Sequence, residues 1–343
     1  MPNTLKEQLL TLSLTLAAAA VGALAFVLIG FPAPYLTGPA LAVSILAVTG
    51  YRVEIPPPLR TLCFLVLGVG IGASVTPDVI RTARTWPLSF AILSVLVIGS
   101  MLSCSWMLRR LFRFDALTAA MCAPPGHLSF VLSLAEDRGG DVRLVSLVQS
   151  TRVLFLTLVV PPILVPLVPP GTEGLTHVTM PAWHWLGILP VAYGLGRIYE
   201  RLKIPAPDLL AAMTVSAAVH LSELSQGGLP PVVGNAAFAA MGALIGTRFV
   251  GTTLGLLRQG VLAGLAVTAV TVTWAVAAAA IAAPLLGFPL AKLLVAYAPG
   301  GLEAMAAMAV VLGLNPTFVA AHHVFRLVLL SFVIPFMGRG GRG

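Results

Sequence analysis

A shift of 174 positions lays the second half of this chain on the first. The stretch PPGHLSFVLSLAEDRGGDVRLVSLVQSTRVL falls without a gap on APGGLEAMAAMAVVLGLNPTFVAAHHVFRLV. Pro125 meets Pro299, Gly126 meets Gly300, Leu128 meets Leu302, Gly139 meets Gly313, Asp141 meets Asn315 and Arg152 meets Arg326. The same shift pairs Pro56 and Pro57 with Pro230 and Pro231, and Gly68 and Gly72 with Gly242 and Gly246. Proline and glycine set backbone shape, so a register that keeps them while aliphatic residues drift predicts two copies of one structural unit.

The copies belong in a membrane. Hydrophobic residues make up 58% of the chain and charged residues 9%, against roughly a quarter charged in an ordinary soluble domain. Apolar runs of about 17 to 25 residues recur, each enough for a helix to cross a hydrocarbon core of about 30 Å. The net charge of +8 does not form a basic stripe for nucleic acid. Its Lys and Arg are scattered in short loops next to apolar runs, where they read as topology determinants. Cys63, Cys104 and Cys122 show no metal-ligand spacing and are expected as free thiols. The N-terminal apolar stretch is read as a first membrane helix, not a cleaved signal peptide, because the second copy has an equivalent opening helix at 182–200.

The apolar segments run roughly 9–29, 34–50, 59–77, 86–108, 115–137 and 142–168, then 182–200, 206–222, 232–249, 259–284, 289–313 and 316–337. The fifth of each set is interrupted, by Pro124-Pro125-Gly126 and by Pro299-Gly300-Gly301. Proline removes a donor and clashes with the preceding turn, so both should be broken helices. If each broken segment re-enters, with a cytoplasmic N-terminus, the only loop Lys and Arg outside are Arg81, Arg84 and Lys292. Five crossings per copy is odd, so the second copy is expected upside down relative to the first. The expected fold is therefore all-α and integral to the inner membrane: two inverted repeats of five crossing helices plus one broken re-entrant helix each. Repeat 1 is 1–168, a linker is 169–181, and repeat 2 is 182–343, with both termini cytoplasmic.

The residues that could carry chemistry surround the breaks. Arg152 and Arg326 each lie well inside an apolar helix, where a cation costs about 2.5 to 3.5 kcal/mol on insertion scales. Two roles fit them. They could bind an anionic group bidentately, or staple their own copies by pairing with carbonyls of the broken helix or with Asp141 and Glu303. Gly126, Gly300 and Gly301 open the downstream half-helices, whose amides and positive dipole ends suit an anion. His127 takes the place of Gly301 in the first copy, and Gln149 that of His323. Glu303, with His323 or His322, could carry a proton. Substrate binding is thus assigned to Arg152, Arg326, Gly126, His127, Gly300, Gly301 and Glu303, and coupling or support to Asp141, Gln149, Asn315 and His323.

Enzyme chemistry is not expected. The six histidines include no pair at i, i+4 and no His-x-x-Glu-His pattern. Neither a nucleophile elbow nor a phosphate loop is present, and no cofactor or metal is implied. The expected partners are the lipid bilayer and a small-molecule solute, with no direct nucleic acid; an oligomer is allowed.

The segment APGGLEAM…LGLNPTFVAAHHVFRLVLL resembles the membrane AbrB family, whose members contain two copies of an AbrB duplication domain. Pro299, Gly300, Gly301, Leu302, Glu303, Gly313, Asn315, His323 and Arg326 carry the likeness. Asn315 stands where the family usually has Asp. The first copy has His127 for the second Gly but keeps Asp141 and Arg152. The resemblance implies a polytopic membrane protein. Family members are labelled as transcriptional regulators with a role in regulation of gene expression, or as ammonia monooxygenases. The residues here contain no DNA-reading element and no copper or iron site. The leading expectation is secondary transport of a small, anionic solute. The alternative is a membrane protein that regulates gene expression indirectly, and the third is an ammonia-oxidising enzyme.

Overall fold

The computed structural model describes residues 5–75, 77, 81, 83–168, 179–252 and 254–337. Linker residues 169–178, which include His177, and also Arg339 and Arg342, lie outside the described residues. Fourteen α-helices account for nearly all the rest. They are α1 (Leu5–Leu28), α2 (Pro34–Val48), α3 (Pro57–Gly72), α4 (Trp86–Leu111), α5 (Ala116–Cys122), α6 (Leu128–Asp137) and α7 (Val142–Leu164). Then come α8 (Ala182–Arg201), α9 (Pro207–Leu221), α10 (Pro231–Gly246), α11 (Leu254–Leu286), α12 (Leu290–Tyr297), α13 (Leu302–Val311) and α14 (Pro316–Val333). There is no β-strand among the described residues, only an isolated bridge between Thr179 and Gly228. Hydrocarbon offers the backbone no hydrogen bonds, so runs this apolar must satisfy their own amides as helices. Prolines mark several starts: α2, α3, α9 and α10 carry Pro in their first turn, where its missing N–H is no loss.

Among the described residues, six helices are long and apolar enough to cross a membrane: Lys6–Leu28, Ala83–Leu111, Val142–Leu167, Pro231–Phe249, Gly255–Leu286 and Pro316–Phe336. They fit a multi-pass membrane protein, with fewer full-length spans than the ten crossings expected. The reason is geometric. The α2 and α9 helices have 15 residues and α3 has 16, and at about 1.5 Å per residue they reach about 23 Å, short of a core of about 30 Å. The α8 helix has 20 residues, but its last turns carry Arg197, Glu200 and Arg201.

The chain forms two compact units, and neither coincides with 1–168 or 182–343. One comprises Met1–Ala83, Thr157–Gly251 and Ala306–Phe318; the other comprises Arg84–Leu156, Thr252–Met305 and Val319–Gly343. Each draws helices from both halves of the sequence.

The first unit is built on α1–α3 and α8–α10, packed through glycines. Gly22 and Gly38 face each other's carbonyls across α1 and α2, while Gly68 and Gly72 lie on the carbonyls of Leu209 and Met213 in α9. On α10, Gly242 lies on Leu36 O and Gly246 on the backbone of α2 at Val43 and Ser44. Such close approach lets helices in lipid gain dispersion contacts where no hydrophobic effect drives them together. Where α3 meets α10, Cys63 Sγ lies 3.2 Å from the carbonyl oxygen of Ala237. Cys63, Cys104 and Cys122 are all buried and form no disulfide.

The second unit holds α4, α5, α6, most of α7, α11, α12 and most of α14. Gly99 in α4 makes room for the Trp274 indole of α11, whose Nε1 donates to Ser103 Oγ at 3.2 Å. Gly260 and Gly264 of α11 lie against Leu147 and Thr151 of α7. Both breaks lie in this unit. The helix is broken between Cys122 and Leu128, and again between Tyr297 and Leu302.

Candidate functional site

The breaks set the geometry of the site. At the second one, the prolyl and glycyl residues stop α12 at Tyr297 and free the carbonyls that follow. Arg326, fully buried in α14, takes them: Nη1 donates to Ala298 O at 2.7 Å, and Nη2 donates to Gly300 O. Nη2 also reaches His323 Nδ1 at 2.8 Å. A guanidinium has only donors, so Nδ1 must accept, and His323 carries its proton on Nε2. That proton is directed at Val295 O, 3.1 Å away. Charge and freed carbonyls thus satisfy each other, which is the staple role foreseen for Arg326. Its donors go to carbonyls and a histidine, not to Glu303.

The first break is held by a matching arrangement. Arg152, fully buried in α7, donates through Nη2 to Gln149 Oε1 at 3.1 Å. Gln149 Nε2 in turn donates to Met121 O at 3.2 Å. In both halves, an arginine binds the polar residue three positions before it. That residue binds a carbonyl 28 positions before itself. Arg152 and Arg326 are thus two buried cations of one compact unit.

Gly126 joins this cluster. Its φ of 110° suits glycine, and a Cβ on it would stand in ordinary contact with Arg326 Nη2, at 3.4 Å. Its own amide donates to Pro124 O at 3.0 Å, so this N–H, expected as a ligand donor, is committed to the turn. His127 is left-handed, at φ 59°, and its Nε2 lies 3.0 Å from Ser331 Oγ. Gly301 accepts at its carbonyl from Met305 N at 3.0 Å. Glu303 is half-buried in the first turn of α13, its carboxylate leaning back toward Gly301.

Asp141 and Asn315 serve a different purpose, as helix caps. Asp141 Oδ1 accepts from Leu144 N at 3.0 Å at the start of α7, and Asn315 Oδ1 accepts from Phe318 N at 3.0 Å at the start of α14. Both side chains supply one oxygen to an amide three residues on. An amide oxygen does this as well as a carboxylate, which explains the exchange of Asp for Asn.

One polar cluster in the second unit was not legible as a site. Ser89 Oγ of α4 lies 2.8 Å from Tyr297 Oη of α12 and 2.7 Å from His322 Nε2 of α14. All three side chains are fully buried. Trp86 and Phe90 border His322, with ring centroids at 6.2 and 4.6 Å. No group of three His, Cys, Asp or Glu side chains able to hold a metal ion occurs among the described residues.

Relatives match this chain along most of its length. It is 25% identical over 289 residues to the uncharacterized protein YhjN of Bacillus subtilis (strain 168), covering 79% of this chain and 75% of that one. It is 26% identical over 235 residues to a protein of Escherichia coli (strain K12) named "Putative regulator AbrB", covering 65% and 66%. The sequence model of the AbrB family, described as transition state regulatory protein AbrB, matches residues 35–340. That span takes in both broken segments and both buried arginines, and the chain belongs to the AbrB family.

Proposed function

We propose that this protein is a secondary transporter of a small anionic solute in the cell inner membrane. It is built as two inverted repeats, 1–168 and 182–343, with ten crossings, two re-entrant broken segments and cytoplasmic termini. The observation that carries the reading is the pair of buried arginines, Arg152 and Arg326, each tied to a broken helix through an equivalent chain of hydrogen bonds. Two buried cations in hydrocarbon are costly, and a carboxylate or comparable anion arriving beside them offsets that cost.

Several observations support the duplication. Helix starts recur at one interval: Pro57 and Pro231, Ala116 and Leu290, Leu128 and Leu302, Val142 and Pro316 are each 174 apart. Left-handed residues recur too, as Arg113 with Gly287 and Gly139 with Gly313. Earlier in the chain the interval is 173, pairing Gly30 with Lys203, Ala33 with Ala206 and Gly50 with Glu223. The second copy therefore has one residue more between Glu223 and Pro230 than the first has between Gly50 and Pro56. Cys63 touches Ala237, its own counterpart, as expected for residues on a pseudo-two-fold axis. The first three segments of each repeat fall in one compact unit and most of the later ones in the other, a division suited to alternating access.

The test is a thermal-shift screen of the detergent-purified protein against small carboxylates, amino acids, ammonium and phosphate esters, repeated with Arg152→Gln and Arg326→Gln. A ligand that stabilises the wild type and neither variant, and that moves into proteoliposomes, is the expected result. Absence of stabilisation across the panel would sink it. The word "regulator" in the name of the Escherichia coli relative favours a second reading, a membrane protein that senses a solute and acts on gene expression indirectly. Binding without flux would favour that one.

A further inference from the structure

We infer that Ser89, Tyr297 and His322 form a proton-binding site, which on the transport reading above couples proton movement to anion movement. The argument starts with the neighbouring histidine. His323 accepts from Arg326 at Nδ1 and faces Val295 O with Nε2. A second proton would have to sit on Nδ1, against a guanidinium N–H, so this ring is locked in one state.

His322 meets a partner that works either way. Its Nε2 lies 2.7 Å from Ser89 Oγ, and a hydroxyl can donate or accept. When Nε2 is bare, Ser89 donates to it and Tyr297 donates to Ser89. When Nε2 carries a proton, Ser89 accepts that N–H and turns its own O–H to the Tyr297 oxygen. Tyr297 then donates to Ser89 O, which lies 3.3 Å from its hydroxyl. On the Nε2 side the network accommodates both states without leaving either hydroxyl unpaired, which lowers the cost of the change in a dry interior.

A comparison between the two halves argues that the cluster is not needed for packing. At the repeat interval of 174, the counterparts of Ser89, Tyr297 and His322 are Ala263, Ala123 and Val148. Those three are also fully buried. The fold thus places apolar side chains at all three positions in one half and polar ones at all three in the other. Burying three polar groups needs a return that packing alone does not provide.

The charges nearby supply the coupling. From α12 the titratable neighbour is Tyr297; from α14 they are His323 and Arg326, the latter one turn on from His322. The α4 helix presents Trp86, Ser89 and Phe90, which hold no charge, and α7 carries Arg152 in the same compact unit. A proton on His322 therefore joins two buried positive charges of that unit. An anion at the arginines favours that proton, and the proton favours the anion, by reciprocal linkage.

The test uses full-length protein in proteoliposomes with 15N-labelled histidine. One buried ring is expected to take up a proton as the pH is lowered, and its signal is absent from His322→Gln. Ser89→Ala and Tyr297→Phe are expected to move that transition by about tenfold in proton concentration, the worth of one hydrogen bond. A titrating signal that survives His322→Gln, or no buried ring that titrates, overturns the site. If His322→Gln fails to accumulate, an unmoved transition in both other variants overturns it. Uptake of labelled succinate, used as a carboxylate probe, separates this inference from the transport reading. Flux equally pH-dependent in wild type and His322→Gln refutes the proton site and leaves transport standing. Proton uptake at His322 without flux supports the site and counts against transport.

Discussion

Arg326 donates through Nη2 to the carbonyl oxygen of Gly300, tying a buried charge to a group that the break in the helix leaves without its usual partner. The bond with Ala298 O and the bond with His323 use the same planar fork. Lysine keeps the charge but not the fork. Arg326→Lys is therefore expected to destabilise by about 2 to 4 kcal/mol, the loss of one or two charge-assisted bonds. The unfolding midpoint in detergent reads this, and an unchanged midpoint refutes the staple.

Gly68 and Gly242 hold α3 on α9 and α10 on α2, with backbone carbonyls where a Cβ would stand. Gly68→Ala and Gly242→Ala are each expected to cost about 1 to 3 kcal/mol, because the neighbour is rigid backbone. Gly234→Ala is the control. Nothing lies within 4 Å of its Cβ position in α10, and alanine there should be neutral or stabilising by up to about 1 kcal/mol. Equal effects at the three positions would refute close helix packing as the role of Gly68 and Gly242.

The caps of α7 and α14 predict a swap. Asp141→Asn and Asn315→Asp should each stay within about 0.5 kcal/mol of the wild type, whereas Asp141→Ala should cost about 1 kcal/mol. Thermal unfolding of the purified variants checks both. A large loss in Asp141→Asn would mean that the negative charge, not the acceptor oxygen, is what matters.

Tyr51 and Leu224 are equivalent in the repeat register and both are exposed. An inverted arrangement puts them on opposite sides of the membrane. In a cysteine-free background, Tyr51→Cys should react with a membrane-impermeant maleimide only from the cytoplasm, and Leu224→Cys only from outside. Labelling of both from one side would exclude the inverted repeat.

Much of this was readable from residues. The breaks at Pro124-Pro125-Gly126 and Pro299-Gly300-Gly301 lie where the helices stop, because proline and glycine act on their own backbone. The burial of Arg152 and Arg326 followed from the apolar runs around them. Which of two partners Arg326 would choose did not follow. Carboxylate and carbonyl both accept from a guanidinium, and only the path of the chain decides which lies within reach. For the same reason Asp141, weighed as a charge partner, caps α7, and Asn315, assigned to coupling or support, caps α14. Ser89 and Tyr297 gave no signal alone; they became a cluster with His322 once 208 and 233 residues of separation were folded away.

The sequence by itself determined the family, the apolar runs long enough to cross a membrane and the places where helices break. All of these depend on composition and on residues acting within a few positions of themselves. The tertiary structure decided that the compact units cut across the halves, that carbonyls neutralise Arg326, and that one half holds a hydroxyl–imidazole chain where the other is apolar. Those outcomes depend on which distant surfaces meet, and hydrogen bonds between them form only over the last few ångströms of approach.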